Sequence, residues 1–164
     1  MPGVVVGRTG RLGRPLESRQ GRAWPNALSA PAGLARAGKN FDGWFPTGPD
    51  AAGWTAHWGD VQAAARDAGR DPGDVTAAVY LTLSIDDDAG RANERINDYL
   101  ERYYGQPAEV LRRRQACYAG PAAQVGQWIQ GYVNSGASLV ALRFAGDHDR
   151  HLDILAKVRE ELVS

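Results

Sequence analysis

An α/β fold, built from repeated strand–helix units around a parallel sheet, is the class this sequence predicts, and three observations predict it. Apolar residues recur at helical spacing from Trp54 to Ala68, then alternate with period 2 from Val75 to Ile85, and the two patterns go on exchanging to the C-terminus. Gly, Pro and Asp separate the patterned segments, as at Gly69, Asp71-Pro72, Gly105 and Gly136. The run Leu139 to Phe144 is apolar except for Arg143, which suits a parallel strand covered on both faces. Parallel neighbours require right-handed crossovers, so each strand should lead into a helix.

The first 30 residues predict no element. Residues 1–40 carry seven basic side chains against Glu17 alone, a net +6, and the whole chain balances at 19 basic and 19 acidic, so residues 41–164 carry −6. Repeated Gly, three Pro and no apolar period leave 1–30 with too little surface to bury against the entropy of ordering, so the expectation is a basic, disordered leader followed by one domain over 31–164. Val4-Val5-Val6-Gly7 opens like a strand entering a glycine loop, but neither a dinucleotide fingerprint nor a phosphate-loop ending follows it.

Trp54, Trp58, Val61, Ala65 and Ala68 form one stripe, which predicts a helix over about 50–68. The β-branched alternation over 75–85 predicts a strand with Tyr80, Thr82 and Ser84 on one face and the apolar odd positions on the other. Asp86 to Asp88 supply caps for a helix whose stripe is Ala89, Ala92, Ile96, Tyr99, Leu100 and Tyr103, and Gly105 ends it. A short helix over 108–114 follows. Cys117-Tyr118-Ala119-Gly120-Pro121 reads as a loop entering a helix with Val125, Trp128, Ile129, Tyr132 and Val133 on its apolar face. After Gly136 come the strand 139–144 and a last helix carrying Leu152, Leu155, Val158 and Leu162.

Composition removes several function classes. A single Cys, Cys117, rules out a disulfide framework or an all-cysteine metal site within one chain and suits a reducing compartment. No apolar run reaches the roughly 18 residues that span a bilayer, and Val4-Val5-Val6 is too short for a signal-peptide core, so the expected location is cytoplasmic with no membrane partner. Zero net charge gives no reason to expect nucleic acid; Arg112-Arg113-Arg114 read as a solvated face.

Several strings, in order, resemble luciferase-like flavin-dependent monooxygenases: Leu34-Ala35-Arg36-Ala37-Gly38, Phe41-Asp42-Gly43-Trp44-Phe45-Pro46, Ala68-Gly69-Arg70-Asp71-Pro72, Tyr118-Ala119-Gly120-Pro121 and Leu139-Val140-Ala141-Leu142-Arg143-Phe144. The resemblance covers about residues 31–164 and implies the last third or so of a TIM barrel. It also implies FMN or the 5-deazaflavin coenzyme bound at the C-terminal ends of the strands, an oxidoreductase or monooxygenase activity, and a small organic substrate. A whole barrel takes about 250 residues and eight strands, so about three βα units make an incomplete one.

Candidate cofactor groups each have a plainer reading. Gly43 permits close backbone approach and Trp44 can wall a ring, or Trp44 can simply fill the core. Ala119, Gly120 and Pro121 precede a helix whose free N–H groups suit a phosphate, or they form an ordinary turn. Arg143, near the end of the last strand, needs an anionic partner, either a cofactor phosphate or Asp147. Tyr80, Thr82 and Ser84 can touch a flavin or fill the lumen. The Asp147-His148-Asp149-His151-Asp153 cluster reads as helix capping rather than a metal site, Asp86 to Asp88 fail the calcium-loop spacing, and Cys117 packs as a small hydrophobe. Two functions remain open: a fragment of a flavin- or deazaflavin-dependent oxidoreductase, from a truncated or frame-shifted reading frame, or an inactive remnant that self-associates through open sheet edges.

Overall fold

The computed structural model describes residues 4–7, 30–48 and 50–163. Its centre is the ten-residue strand β3 (Thr76–Ile85), which follows β1 (Val4–Gly7), α1 (Pro31–Asn40), β2 (Gly43–Trp44) and α2 (Ala51–Asp67). After it come α3 (Ala89–Tyr104), α4 (Ala108–Arg112), β4 (Cys117–Gly120), α5 (Ala122–Asn134), β5 (Leu139–Phe144) and α6 (His148–Val163). β2, β4 and β5 all run parallel to β3; β5 takes one edge, while β2 and then β4 take the other, at its beginning and end. The strand-then-helix repeats β2–α2, β3–α3 and β5–α6 are the expected parallel α/β units of an incomplete barrel, and β4–α5 adds a shorter one.

A strand at Val4–Gly7 falls inside the segment for which the sequence predicts no element. It pairs antiparallel with β5, Val5 opposite Ala141 and Gly7 opposite Leu139, and so covers the β5 edge. Four residues are too few to show a period, but three valines suit a pleated strand and the open edge offers them hydrogen bonds. The rest of that leader lies outside the described residues.

Alternation along β3 divides the molecule. Ala77, Val79, Leu81, Leu83 and Ile85 are buried on the face covered by α1, α2, α5 and α6, in one cluster with Trp54, Trp58, Val125, Phe144 and Leu155. A second, smaller cluster holds Ile96, Leu100, Ala108, Leu111 and Ala145, with Cys117 and Ala119 packed against it. It lies on the opposite face, under α3 and α4. Asp88 caps α3 by accepting from the Arg91 N–H and Gly105 closes it at φ 65°, as the acidic and glycine punctuation predicts, and Asp50 caps α2 in the same way by accepting from the Gly53 N–H.

Helix α1 escapes the sequence reading because Gly33, Gly38 and the alanines dilute its apolar stripe, and its partner explains the composition. At Gly38 a Cβ would stand 2.2 Å from the Val61 carbonyl oxygen and 2.8 Å from the Ala65 nitrogen, so glycine lets α1 and α2 touch backbone to backbone. Gly38→Ala is expected to force the helices apart and cost about 1–2 kcal/mol, read as a lower urea midpoint at unchanged slope. An unaltered midpoint would mean that the two helices are not held this closely in solution. No helix among the described residues is long and apolar enough to cross a membrane.

Candidate functional site at the strand ends

The C-terminal half of β3 brings some of the candidate residues together and leaves others apart. Thr82 has Cys117 on one side and Arg143 on the other, Ser84 lies beside Ala119, and Ile85 beside Gly120. Arg143 and the Ala119-Gly120-Pro121 segment therefore flank one short stretch of β3. Gly43 pairs with Thr76, six residues earlier, roughly 20 Å down the strand. Gly43 and Trp44 thus sit at the opposite end of β3, which corrects the expectation that they join the others.

Trp44 also faces the other way. Its register partner Ala77 points to the helices, and the indole is fully buried, 6.3 Å from Trp58 in a stacked arrangement and 5.5 Å from Trp54. In this fold the indole is part of the core. Its Nε1 finds no hydrogen-bond partner among the described residues.

Around Arg143 the groups are phenols. Its Nε donates to the Tyr99 hydroxyl at 2.6 Å, and the guanidinium lies 5.5 Å from the Tyr99 ring centre and 5.1 Å from that of Tyr103. Those two rings stack at 5.6 Å, and Tyr103 is 60% exposed. Tyr80, on the same face of β3, has its phenol pushed up to about 12, first by burial and then by neighbouring Tyr99. Among the described residues no carboxylate pairs with Arg143. Asp147, one partner expected from the sequence, instead accepts from the Arg150 N–H and caps α6.

Two members of the Tyr80, Thr82 and Ser84 row are covered. Thr82 is 1% exposed and Ser84 fully buried, because α3 and α4 fold over them, and the Ser84 hydroxyl has no partner among the described residues. An open groove of about 410 Å³ remains on the outward side, between α3 and Gly146, lined by Arg95, Asp98, Tyr99, Arg102 and Tyr103.

Two polar arrangements at this end were missed by sequence reasoning. The buried Asp86 carboxylate accepts from Arg91 at 2.8 Å and Arg95 at 3.1 Å, with Arg150 at 3.8 Å, besides the Asp88 N–H. These partners, the Arg91 hydrogen bond first, hold its carboxyl well below the usual carboxylate range. The Asp-Asp-Asp string suggested only capping; its i+5 and i+9 arginines were the available signal. His151, fully buried against Phe144, accepts the Ile85 N–H on Nε2 at 2.8 Å and donates from Nδ1 to the Asp147 carbonyl. That pair of bonds requires the neutral ring, and burial lowers its pKa.

Residues 117–120 are a strand rather than the expected loop, because the Thr82 to Ile85 edge is open to pairing. Gly120 accepts the Asp86 N–H on its carbonyl, and the Tyr118 hydroxyl donates to the Pro121 carbonyl at 2.6 Å. Pro121 stands at the N-cap of α5 and gives it no side-chain cap, while its carbonyl accepts the Gln124 N–H.

Comparison with known proteins agrees with this architecture. The luciferase-like monooxygenase family matches residues 10–163. An F420-dependent secondary alcohol dehydrogenase, solved with an F420–acetone adduct, superposes with a TM-score of 0.66 at 17% identity, over 82% of this chain and 46% of that one. The F420-dependent tetrahydromethanopterin reductase of Methanopyrus kandleri superposes at 0.61 with 18% identity, over 79% and 47%. A long-chain alkane monooxygenase does so at 0.59 with 14% identity, over 82% and 40%. The chain therefore spans under half the length of these structures. No curated protein matches it.

Proposed function

This chain belongs to the luciferase-like monooxygenase family, and from that premise we propose that it holds the anionic end of a flavin-type cofactor, FMN or the 5-deazaflavin coenzyme, at the C-terminal ends of β3, β4 and β5. One observation carries the reading: a half-buried guanidinium, Arg143, met by phenols and by no described carboxylate, across β3 from a helix start that lacks a side-chain cap. A phosphate suits the guanidinium, which would give it charge-assisted hydrogen bonds in place of the phenol. When bound, such a cofactor supplies the electron transfer of oxidoreductase or monooxygenase chemistry; the protein's part is to bind and orient it.

Each group has a separate task in that reading. Arg143 supplies the charge, while Ala119-Gly120-Pro121 brings backbone donors close. Tyr80, with its raised pKa, stays a neutral hydroxyl at neutral pH and offers a hydrogen bond rather than charge. Trp44 takes no part. The small organic substrate would be recognised largely by groups beyond this end of the sheet.

Titrating FMN and the deazaflavin coenzyme into the protein and into Arg143→Ala, followed by absorbance and fluorescence, tests the proposal. The variant is expected to lose roughly 1.5–3 kcal/mol of binding, about tenfold or more in Kd. Equal binding by the two removes Arg143 from the site. Binding by neither favours the remnant reading, in which the chain has no enzymatic role and associates with itself through its sheet edges; sedimentation reads that directly.

A further inference from the structure

We propose that α3 and α4 form a lid over the C-terminal ends of β3, β4 and β5, latched by the Tyr99 hydroxyl on Arg143, and that the lid lifts before an anionic ligand reaches the guanidinium. The ligand half of this statement rests on the cofactor reading above; the lid itself does not.

Four observations carry it. First, the covered surface is polar where a dry core would be apolar: Thr82 and Ser84 lie beneath the helices, and the Ser84 hydroxyl is buried without a partner among the described residues. An orphaned hydroxyl is a cost in the closed state that an arriving ligand or water would relieve. Second, the charge there is met by a substitute. Arg143 donates to a neutral phenol and faces two rings, contacts weaker than a bond to an anion, so an anion can displace them.

Third, α3 and α4 have their own small apolar cluster, separate from the main core, so they can part from the sheet without breaking the packing of α1, α2, α5 and α6. They hold together as a unit: Arg112 donates to Asn93 and Asn97, and Glu101 accepts the Ala108 N–H. Fourth, the attachment is uneven. Arg91 and Arg95 tie the first turns of α3 to the buried Asp86, whereas Tyr99, one turn further on, makes the Arg143 contact. The pinned end is a pivot and the tyrosine end a catch.

The chain carries its own reporter. Cys117, its one cysteine, lies half-buried beside Thr82 against the lid cluster, and burial pushes the thiol up to about 11. Labelling of Cys117 by a neutral disulfide reagent at pH 8, below denaturing conditions, measures opening. Tyr99→Phe, which keeps the ring and removes the hydroxyl, and Arg143→Gln are each expected to speed labelling about tenfold. The double variant should be no faster than either alone, because both remove one latch. Gly38→Ala, destabilised on the far side of the sheet, should speed labelling far less at matched loss of urea stability.

Wild-type labelling rates in both single variants would overturn the lid. So would a Gly38→Ala rate equal to theirs at matched stability, since exposure would then come from global unfolding. FMN is the ligand probe, expected to bind Tyr99→Phe about tenfold more tightly than the wild type. Faster Cys117 labelling with no binding of FMN or deazaflavin by any variant keeps the lid and removes the cofactor. Binding that Arg143→Ala weakens, with unchanged labelling rates, keeps the cofactor and removes the lid.

Discussion

Trp44→Ala is expected to destabilise the protein by about 3–5 kcal/mol, the largest effect of any single change considered. The indole is fully buried among Trp54, Trp58 and the edge of His57, so truncation opens a cavity that three rigid rings cannot close. Trp44→Phe should cost much less, because it keeps most of the ring and removes the orphaned Nε1 donor. Urea unfolding of both variants reads the difference. Loss of cofactor binding at near-normal stability would reverse the assignment and return Trp44 to the site.

Stability should also fall as the medium becomes acidic, and His151 sets where. Its ring is neutral in the folded protein and burial lowers its pKa below the ordinary 6.5, so the unfolded chain takes up a proton first. The contribution is complete above about pH 6.5 and is lost as pH falls from there through the folded value. Protonation would remove the Nε2 acceptor of the Ile85 N–H and set a cation beside Arg95 and Arg150. The Asp86 carboxyl, also depressed, contributes above its unfolded value near 4 and is lost only below it, so the two ranges separate. His151→Phe should flatten the urea midpoint between pH 7.5 and pH 5. His151→Ala, which loses both bonds and the Phe144 contact, should lower stability by roughly 3 kcal/mol at pH 7.5. A wild-type midpoint equal at pH 7.5 and pH 5 would contradict this role.

The sequence by itself determined the repeat. Period 2 over Val75 to Ile85 and the stripe from Trp54 to Ala68 are local patterns longer than two turns, and such patterns state which face each element buries. Capping by Asp88 and Asp147 was equally local, since a carboxylate reaches N–H groups three residues ahead whatever surrounds it. The apolar run Leu139 to Phe144 likewise placed Arg143 near the end of a strand. Tertiary structure alone decided what those ends face. Whether Val4–Gly7 and Cys117–Gly120 become strands depends on an open edge offered by residues more than 30 positions away. The direction of Trp44 follows from its register with Ala77, and the partner of Arg143 from where α3 comes to rest. Those are long-range contacts, and no periodicity records them, because a side chain's neighbours across a sheet are set by which strands pair and in what register.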